Sequence, residues 1–308
     1  MEPIVTENLT KYYGKMLALD NLTMKIRKGH CVGFLGPNGA GKSTTIKILC
    51  SLIFPTKGEA HVNGFNPSKE PRNALEDVGC IVEVPDFYPQ FNALDVLRYY
   101  GKIRGITGRE LRKRVKEVLE FAGISKWARM KTPKFSRGMK QRLGIAQALL
   151  HDPSILILDE PALGLDPRGV VEIRKMLKEI MKQGKTIFLA SHMLYEVQEV
   201  CDMVAMINKG KLIAYDRVEN LEKLFKVQVL EVDLLQPPKP KQLEKVKKLE
   251  SVKSYSAEKN RIKINFEGDK TAQVKLLAAL VKDVRLQVAS FRPSVAALEE
   301  LYLRLVEE

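Results

Sequence analysis

Residues 36–44 have the sequence Gly36-Pro37-Asn38-Gly39-Ala40-Gly41-Lys42-Ser43-Thr44, and the chain on both sides of them is apolar. The preceding run, His30-Cys31-Val32-Gly33-Phe34-Leu35, is typical of a buried strand, and the run from Thr45 to Leu52 predicts a helix. A glycine-rich loop in this position binds phosphate, because its backbone N–H groups and the positive end of the helix dipole face the phosphate oxygens. The loop therefore predicts a site for a nucleoside triphosphate.

Two parts of the chain supply the charges that such a site needs. In the loop, we expect Lys42 to contact the outer phosphates and the Ser43 hydroxyl to bind Mg²⁺. The apolar run 154–158 predicts a strand buried on both faces, and it ends in Asp159 and Glu160, at the edge where α/β sheets bind ligands. We expect Asp159 to hold Mg²⁺ through water and Glu160 to deprotonate the attacking water. The acidic pair favours hydrolysis over binding alone.

The composition limits the class of protein. The chain has 308 residues and is 45% hydrophobic, which suits one large domain with a smaller one. Its four cysteines have no C-x-x-C pairing and indicate neither a disulfide framework nor a zinc site. We find no run long enough to span a bilayer and no signal-peptide pattern at the N-terminus, so we expect a soluble, intracellular enzyme that acts from the cytoplasmic side of any membrane it serves.

The charge is strongly positive, with 51 Lys and Arg against 37 Asp and Glu, a net charge of +14 and a pI of about 9.5. Nucleic acid and the anionic cytoplasmic leaflet would both attract such a chain. The two signs are interspersed, however, as in residues 109–117, and that pattern is more typical of a solvated helix face than of a docking surface. Charge alone does not select a partner.

A second anion site is predicted by Phe135-Ser136-Arg137-Gly138-Met139-Lys140-Gln141-Arg142, which opens an apolar helix that continues to Leu150. Ser136 suits an N-cap, and a glycine in the first turn leaves backbone donors free. This segment resembles the L-S-G-G-Q signature of the ATP-binding subunits of ABC transporters. It keeps Ser136 and Gly138 and departs from the signature at Phe135, Arg137 and Met139. Arg137 could face the membrane partner or the γ-phosphate, and an exposed, unengaged side chain is the default expectation.

The resemblance covers roughly the first 225 residues, and its elements occur in the family order. Residues 9–14 are similar to the aromatic loop, with Tyr13 as the residue that stacks on adenine. Glu83 occupies the Q-loop position, where most members have Gln. Residues 161–167 are similar to the D-loop, which contains Asp166. His192, at the end of the apolar run 186–191, matches the switch histidine that hydrogen-bonds the γ-phosphate.

The resemblance implies a fold and an activity. Glu83 together with the S-x-G-M-K-Q sequence is similar to the bacitracin-resistance and multidrug-export (ABC-2 type) subunits. These are ATP- and Mg²⁺-dependent ATPases of the α/β, P-loop class that serve separately encoded integral membrane permease subunits. Catalysis would fall to Glu160, His192 and Glu83, and metal binding to Ser43, Asp159 and Glu83. ATP would lie in a head-to-tail homodimer, between the Lys42 loop of one copy and residues Ser136, Arg137, Gly138 and Met139 of the other. The protein would be peripheral, on the cytoplasmic face of the cell membrane, with no nucleic-acid partner.

The chain divides by pattern into an ATPase domain, residues 1–225, which ends in a short predicted helix around residues 221–225, and an α+β domain, residues 226–308. Within the first, residues from 93 to about 134 have amphipathic helical spacing and no ligand chemistry, and the family has a helical subdomain here that contacts the membrane partner. The second has the order β-α-β-β-α-β, a ferredoxin-like pattern, followed by a closing helix from Val295 to Leu305. We expect this domain to support the dimer or to regulate it, with an effector site as the less favoured alternative.

Two alternatives to an exporter subunit are open. An ABC-type ATPase without a transporter would act on ribosomes, DNA or cofactor assembly. Translation-type members carry two cassettes, whereas this chain has one. DNA-repair members insert a long coiled coil before the signature, whereas here fewer than a hundred residues separate Lys42 from Ser136. Cofactor-assembly members usually lack a C-terminal domain of the kind predicted here. A degenerate, non-hydrolysing cassette is disfavoured because Lys42, Asp159, Glu160 and His192 are all present. The sequence does not name the cargo.

Overall fold

The computed structural model describes residues 2–220, 228–268 and 270–293. The chain forms two compact units, Met1–Val218 and Glu219–Glu308, called here the N-terminal and C-terminal units. The division lies a few residues before the boundary near 225 that the sequence pattern suggests. The helices expected near residues 221–225 and over 295–305 fall outside the described residues.

The N-terminal unit contains two sheets. Its strands are β1 (Ile4–Tyr13), β2 (Met16–Ile26), β3 (Cys31–Leu35), β4 (Lys57–Val62), β5 (Val78–Ile81), β6 (Ile155–Asp159), β7 (Thr186–Ser191), β8 (Met203–Asn208) and β9 (Lys211–Arg217). Its helices are α1 (Lys42–Leu49), α2 (Pro71–Leu75), α3 (Ala93–Ile103), α4 (Gly108–Phe121), α5 (Arg137–Ala148), α6 (Pro167–Lys182) and α7 (Leu194–Val200).

The larger sheet has the order β5-β6-β7-β3-β8-β9, with β9 antiparallel to β8 and the other neighbours parallel. Every residue of β3, β6 and β7 is buried, as expected for parallel strands covered on both faces. In the register, Leu35 pairs with Ser191 and Asp159 pairs with Ala190. The segments that follow these three strands therefore start at one edge of the sheet, which places the predicted site residues together.

The smaller, antiparallel sheet has the order β2-β1-β4. Its buried Leu9 belongs to the same hydrophobic core as Phe34 of the larger sheet and Ile46 of α1, so both sheets pack on this helix. Helix α1 begins at Lys42, three residues before the expected start, and ends at Leu49.

Residues 93–134 are helical, as the sequence predicts, with α3 and α4 followed by 3₁₀ turns at Ser125–Trp127 and Thr132–Lys134. Helix α3 starts with a capping box, in which Asn92 and Asp95 each accept a backbone hydrogen bond from the other residue. Helix α4 buries an apolar stripe that includes Leu111, Val115 and Val118.

The C-terminal unit contains β10 (Gln228–Leu234), α8 (Pro240–Lys247), β11 (Val252–Glu258), β12 (Arg261–Phe266), α9 (Lys270–Lys282) and β13 (Val288–Pro293). Its antiparallel sheet has the order β11-β12-β10-β13. This is the split β-α-β arrangement of a ferredoxin-like fold, in agreement with the predicted pattern. Its core is apolar and includes Val232, Ile264, Phe266 and Leu280. Among the described residues of the whole chain, none of the helices is both long enough and apolar enough to cross a membrane.

Candidate functional site

The glycine-rich loop lies between β3 and α1 and holds Lys42 in a buried position. Gly41, the residue before the helix, has φ +109°, and a Cβ there would lie 2.7 Å from the Ala18 carbonyl oxygen, so only glycine fits. Lys42 is 6% exposed, and its Nζ donates to the carbonyl oxygens of Gly36 at 2.7 Å and Pro37 at 3.1 Å. The ammonium group is thus fixed at the loop, where phosphate oxygens would replace these carbonyls.

Asp159 is the last residue of β6 and is 4% exposed. The Ser43 hydroxyl donates a hydrogen bond to its carboxylate, while Oδ1 is buried and has no hydrogen-bond partner among the described residues. Burial raises the pKa of Asp159, and the hydrogen bond from Ser43 opposes the rise. A buried, unsatisfied carboxylate oxygen beside a hydroxyl oxygen is a donor set that suits a hard divalent cation such as Mg²⁺. These two predicted metal ligands are therefore together and fit the ion.

Glu160 lies between two other predicted site residues. Its Oε1 is 3.3 Å from Lys42 Nζ, and its Oε2 is 2.8 Å from Nδ1 of His192, which follows β7. Its φ of +47° is uncommon for a residue with a Cβ. A carboxylate that is only 15% exposed and is held from two sides is well placed to act as a base on a water.

Glu83 and Tyr13 both lie near Lys47, a residue of α1 that the sequence analysis did not select. Glu83 Oε1 is 2.6 Å from Lys47 Nζ, and this hydrogen bond lowers the pKa of Glu83. The hydrogen bond to Glu83 raises the pKa of Lys47, and the negative charge of Asp159 adds to the rise. Glu83 is 66% exposed in this arrangement and is bound to Lys47, so its role as a metal ligand stays a prediction. Tyr13, 42% exposed at the end of β1, has Lys11 Nζ over its ring at 5.2 Å from the centroid, and its adenine contact also stays a prediction.

The predicted signature residues form the start of α5. Ser136 is the N-cap, and its Oγ accepts a hydrogen bond from the Met139 N–H at 3.2 Å. A Cβ on Gly138 would meet nothing within 4 Å, so this turn presents its backbone to open space. Both features suit an anion site, although the anion itself stays a prediction.

Arg137 is exposed, as the sequence predicts, but its side chain packs against Gly164. A Cβ built on Gly164 would lie 2.2 Å from Arg137 Nη1, so the guanidinium group covers the backbone of the 161–167 loop, where Gly164 has φ +68°. At the end of that loop, Asp166 is the N-cap of α6 and accepts from the Gly169 N–H at 2.7 Å. The sequence pattern could not show this contact because 26 residues separate Arg137 from Gly164 along the chain.

Comparison with known proteins shows the family of this chain. The ABC transporter family profile matches residues 19–163. The bacitracin transport ATP-binding protein BcrA of Bacillus licheniformis is 44% identical over 221 residues, which cover 71% of each chain. The chain belongs to the ABC transporter ATP-binding proteins. Another member, the ABC transporter ATP-binding protein YcbN of Bacillus subtilis, is 33% identical and covers 98% of this chain and 96% of its own length, so the similarity extends into the C-terminal unit.

Solved structures show the same fold. A dimeric ATP-binding cassette in a post-hydrolysis state, bound to ADP and Pi, is 26% identical to this chain with a TM-score of 0.64, and the match covers 70% of this chain and 98% of the cassette. This protein is thus an ATPase of the ABC family, with an α/β nucleotide-binding fold. The activity agrees with the acidic pair at the end of β6, which the sequence analysis took as the sign of hydrolysis.

A second layer of contacts supports His192 in this ABC ATPase. The Ser191 Oγ donates to Glu196 Oε2 at 2.7 Å and accepts from the Met193 N–H at 3.0 Å, which clamps the chain on both sides of the histidine. Glu196 is 7% exposed, and burial raises its pKa. Sequence reasoning missed it, although a glutamate within the otherwise buried face of α7 was a detectable signal.

Proposed function

We propose that this protein is the energy-supplying subunit of an ABC-2 type exporter and works as a Mg²⁺-dependent homodimer on the cytoplasmic face of the cell membrane. The observation that carries the proposal is the placement of Glu160 between Lys42 and His192, in a chain 44% identical to a protein named for bacitracin transport. The placement of Glu160 supports ATP hydrolysis, and the similarity to a transport protein supports the use of that hydrolysis for transport.

In the proposed reaction, ATP changes the partner of Lys42. The ammonium group leaves Glu160 for the phosphate oxygens, which frees the carboxylate to accept a proton from the attacking water. The water oxygen forms a bond to the γ-phosphorus while the bond to the ADP oxygen breaks, and His192 donates a hydrogen bond to the phosphate. Ser43 and Asp159 would hold Mg²⁺, which neutralises charge on the phosphates when it is bound.

The homodimer follows from the division of the site. Ser136 and Gly138 present a helix start to open space, and the family pairing would place that helix start against the phosphates of a second copy. The dimeric cassette with ADP and Pi supports this arrangement. The contact between Arg137 and Gly164 would then keep the signature turn and the D-loop of one copy in register as both meet the other copy.

The membrane subunit would bind an aromatic cluster that follows Glu83. Tyr88, Phe91, Tyr99 and Tyr100 contact one another with ring centroids 5.3–6.2 Å apart. Tyr88 is 52% exposed and Tyr99 is 41% exposed. Exposed aromatic side chains are enriched in protein interfaces, where they bury a large area at a small entropic cost. If a bound partner moved, it would displace Glu83 through the short segment that joins Glu83 to Tyr88.

Co-purification tests this proposal. The chain would be expressed with the membrane protein encoded beside its gene, and the detergent-solubilised membrane protein should retain it. Tyr88→Ala with Tyr99→Ala should weaken retention at least tenfold, as expected when interface aromatics are truncated. Val274→Ala, which alters another exposed apolar side chain, is the matched control and should retain normally. Recovery with ribosomes or DNA instead of a membrane protein would contradict the proposal and favour an ABC ATPase without a transporter.

A further inference from the structure

The positive charge of this protein is concentrated in its helical region. Residues 93–134 contain twelve Lys and Arg and four Asp and Glu, so this stretch carries a net charge of +8 out of +14 for the whole chain. The sequence pattern alone is also compatible with a solvated helix surface whose charges pair locally. The structure shows which of the cations are paired and where the others lie.

Several cations of this region are already engaged. Arg104 donates to the backbone carbonyls of Leu75, Glu76 and Val78. Arg114 pairs with Glu117 at 2.7 Å and also donates to carbonyls at the end of α5. These arginines fasten the helices to the rest of the N-terminal unit. They are not available to a partner.

Within helices α3 and α4, which the structure describes in full, four cations have no acidic partner within 4.0 Å: Arg98, Lys102, Arg109 and Arg112. All four are exposed. Arg98 and Lys102 are four residues apart on α3, and Arg109 and Arg112 are three apart on α4, so each pair occupies one face of its helix. Lys116, one turn beyond Arg112, contacts Glu120 only at 3.8 Å and at a solvent-exposed position. We call these five residues the basic face.

The two helices bring part of the basic face into one cleft. Arg98, Arg112 and Lys116 line it together with Ser125, which starts the 3₁₀ turn after α4, and Leu94 forms part of its apolar wall. Glu120 is the one acidic residue among those that line the cleft. Three cations and a hydroxyl around a shallow cleft suit a phosphate group, since guanidinium groups bind phosphate oxygens in a forked geometry.

We propose that the basic face binds the phosphate headgroups of anionic phospholipids in the cytoplasmic leaflet. Charge complementarity favours this partner, because the leaflet carries a negative surface potential that attracts clustered Lys and Arg. Ile103, 62% exposed, lies beside Lys102 on α3. An exposed aliphatic side chain beside the cations suits the boundary between headgroups and acyl chains better than it suits a polyanion in water.

This inference rests on the proposed location at a membrane, but it concerns a property of the isolated protein that does not require the permease. The full chain would be mixed with sedimentable vesicles of phosphatidylglycerol and phosphatidylcholine, or of phosphatidylcholine alone. We expect binding only to the anionic vesicles, with a strong decrease between about 50 mM and about 500 mM salt, where screening shortens the Debye length. Binding to both vesicle types, or to neither, overturns the proposal.

Charge-matched variants separate the basic face from the overall charge of the chain. Arg98→Gln with Arg112→Gln should weaken binding to anionic vesicles about 25-fold, from roughly fivefold for each cation removed near a membrane surface. Lys28→Gln with Lys175→Gln removes two exposed charges elsewhere and should change binding less than threefold. An equal loss in the two double variants would show attraction by net charge alone and overturn the proposal.

The remaining controls distinguish failure of this inference from failure of the proposed function. Arg98→Gln with Arg112→Gln should keep wild-type ATPase activity and thermal stability, because neither residue contacts the nucleotide site. A wild-type protein that binds duplex DNA in preference to anionic vesicles, with the same two arginines required, would replace lipid by nucleic acid as the partner. Retention by the permease without vesicle binding would overturn the lipid site and leave the exporter assignment intact.

Discussion

The two units differ in what they bury. All the buried polar or charged side chains found among the described residues belong to the N-terminal unit, and Lys42, Asp159 and Glu196 are among them. The core of the C-terminal unit consists of apolar side chains such as Leu230 and Phe266. Because burial of a polar group costs free energy unless it is fully paired, natural folds accept it mainly where chemistry requires it. The contrast locates the chemistry of this chain in one unit and leaves the other as a conventionally stabilised domain.

Left-handed backbone occurs in both units but in different surroundings. Lys209 between β8 and β9, and Lys259 between β11 and β12, have φ values of +47° and +50° in tight hairpin turns, where left-handed residues are the rule. Glu83 and Glu160, with φ values of +66° and +47°, follow the strands β5 and β6 and contact Lys47 and Lys42. At these two positions of the N-terminal unit, the conformation places a carboxylate beside a lysine.

The strongest test of this contrast makes one substitution in each unit. Asp159→Asn should lower ATP hydrolysis on the order of 100-fold or more, because the carboxylate ligand for the metal is lost. The same change should raise the melting temperature at pH 7. Because the pKa of Asp159 is raised in the folded protein, its ionised form destabilises the fold at pH values above that pKa. The higher melting temperature of Asp159→Asn relative to the wild type should therefore disappear as the pH falls low enough to protonate the aspartate.

Asp233→Asn in the C-terminal unit should have the opposite effect on stability. Hydrogen bonds from Arg261 and Ser290 lower the pKa of Asp233, so its ionised form contributes stability above the unfolded pKa, and that contribution is lost as the pH falls through the folded pKa. The variant should melt at a lower temperature at pH 7 with unchanged ATP affinity. Calorimetry of both variants checks the pair, and shifts of the same sign would contradict the contrast between the units.

A smaller effect is expected at Glu83. If it leaves Lys47 for the metal when ATP binds, Glu83→Gln should require severalfold more Mg²⁺ for half-maximal ATPase activity, since a carboxylate attracts the ion more strongly than an amide. Removal of the negative charge should also lower the pKa of a neighbouring carboxyl group and shift the acidic limb of the pH profile downward. Lys47→Met, which releases Glu83, should change the Mg²⁺ requirement in the opposite direction. Unchanged Mg²⁺ and pH curves for Glu83→Gln would remove this residue from the site.

The smallest effect is expected from loss of the C-terminal unit. A chain that ends at Phe225 should bind ATP with an affinity within about twofold of the full chain, because the residues proposed to contact the nucleotide all precede Val218. The ATPase rate would decrease only if the dimer forms less readily without the C-terminal unit. Titration with a fluorescent ATP analogue measures the affinity, and circular dichroism confirms folding. A folded, truncated protein that cannot bind nucleotide would show that the C-terminal unit belongs to the site.

The sequence predicted those features that depend on local pattern. The glycine-rich loop, the buried strands before Asp159 and His192, and the β-α-β-β-α-β order of the C-terminal unit all have periodicities or motifs confined to short segments. The parallel register of the sheet then makes it inevitable that the ends of β3, β6 and β7 meet. For these parts, knowing the strands was enough to place the side chains.

The contacts that the sequence could not predict join segments without a shared motif. Lys47 is one of many lysines on a helix surface, and only the fold shows that it faces Glu83. Arg137 has no local sequence signal for a contact, and Gly164 becomes its neighbour only when α5 packs beside the 161–167 loop. The basic face likewise exists only where α3 meets α4.

The central claim is that Glu160 is the base of an ATPase whose site closes between two copies of the chain. The most direct measurement is size-exclusion chromatography of Glu160→Gln with and without Mg·ATP, combined with its ATPase rate. The variant keeps the shape of the side chain and loses its basicity, so turnover should fall on the order of 100-fold or more while ATP binding persists. The dimer should accumulate in Mg·ATP and revert to monomer without nucleotide. A variant that stays monomeric in Mg·ATP, or that hydrolyses ATP at the wild-type rate, would contradict the account.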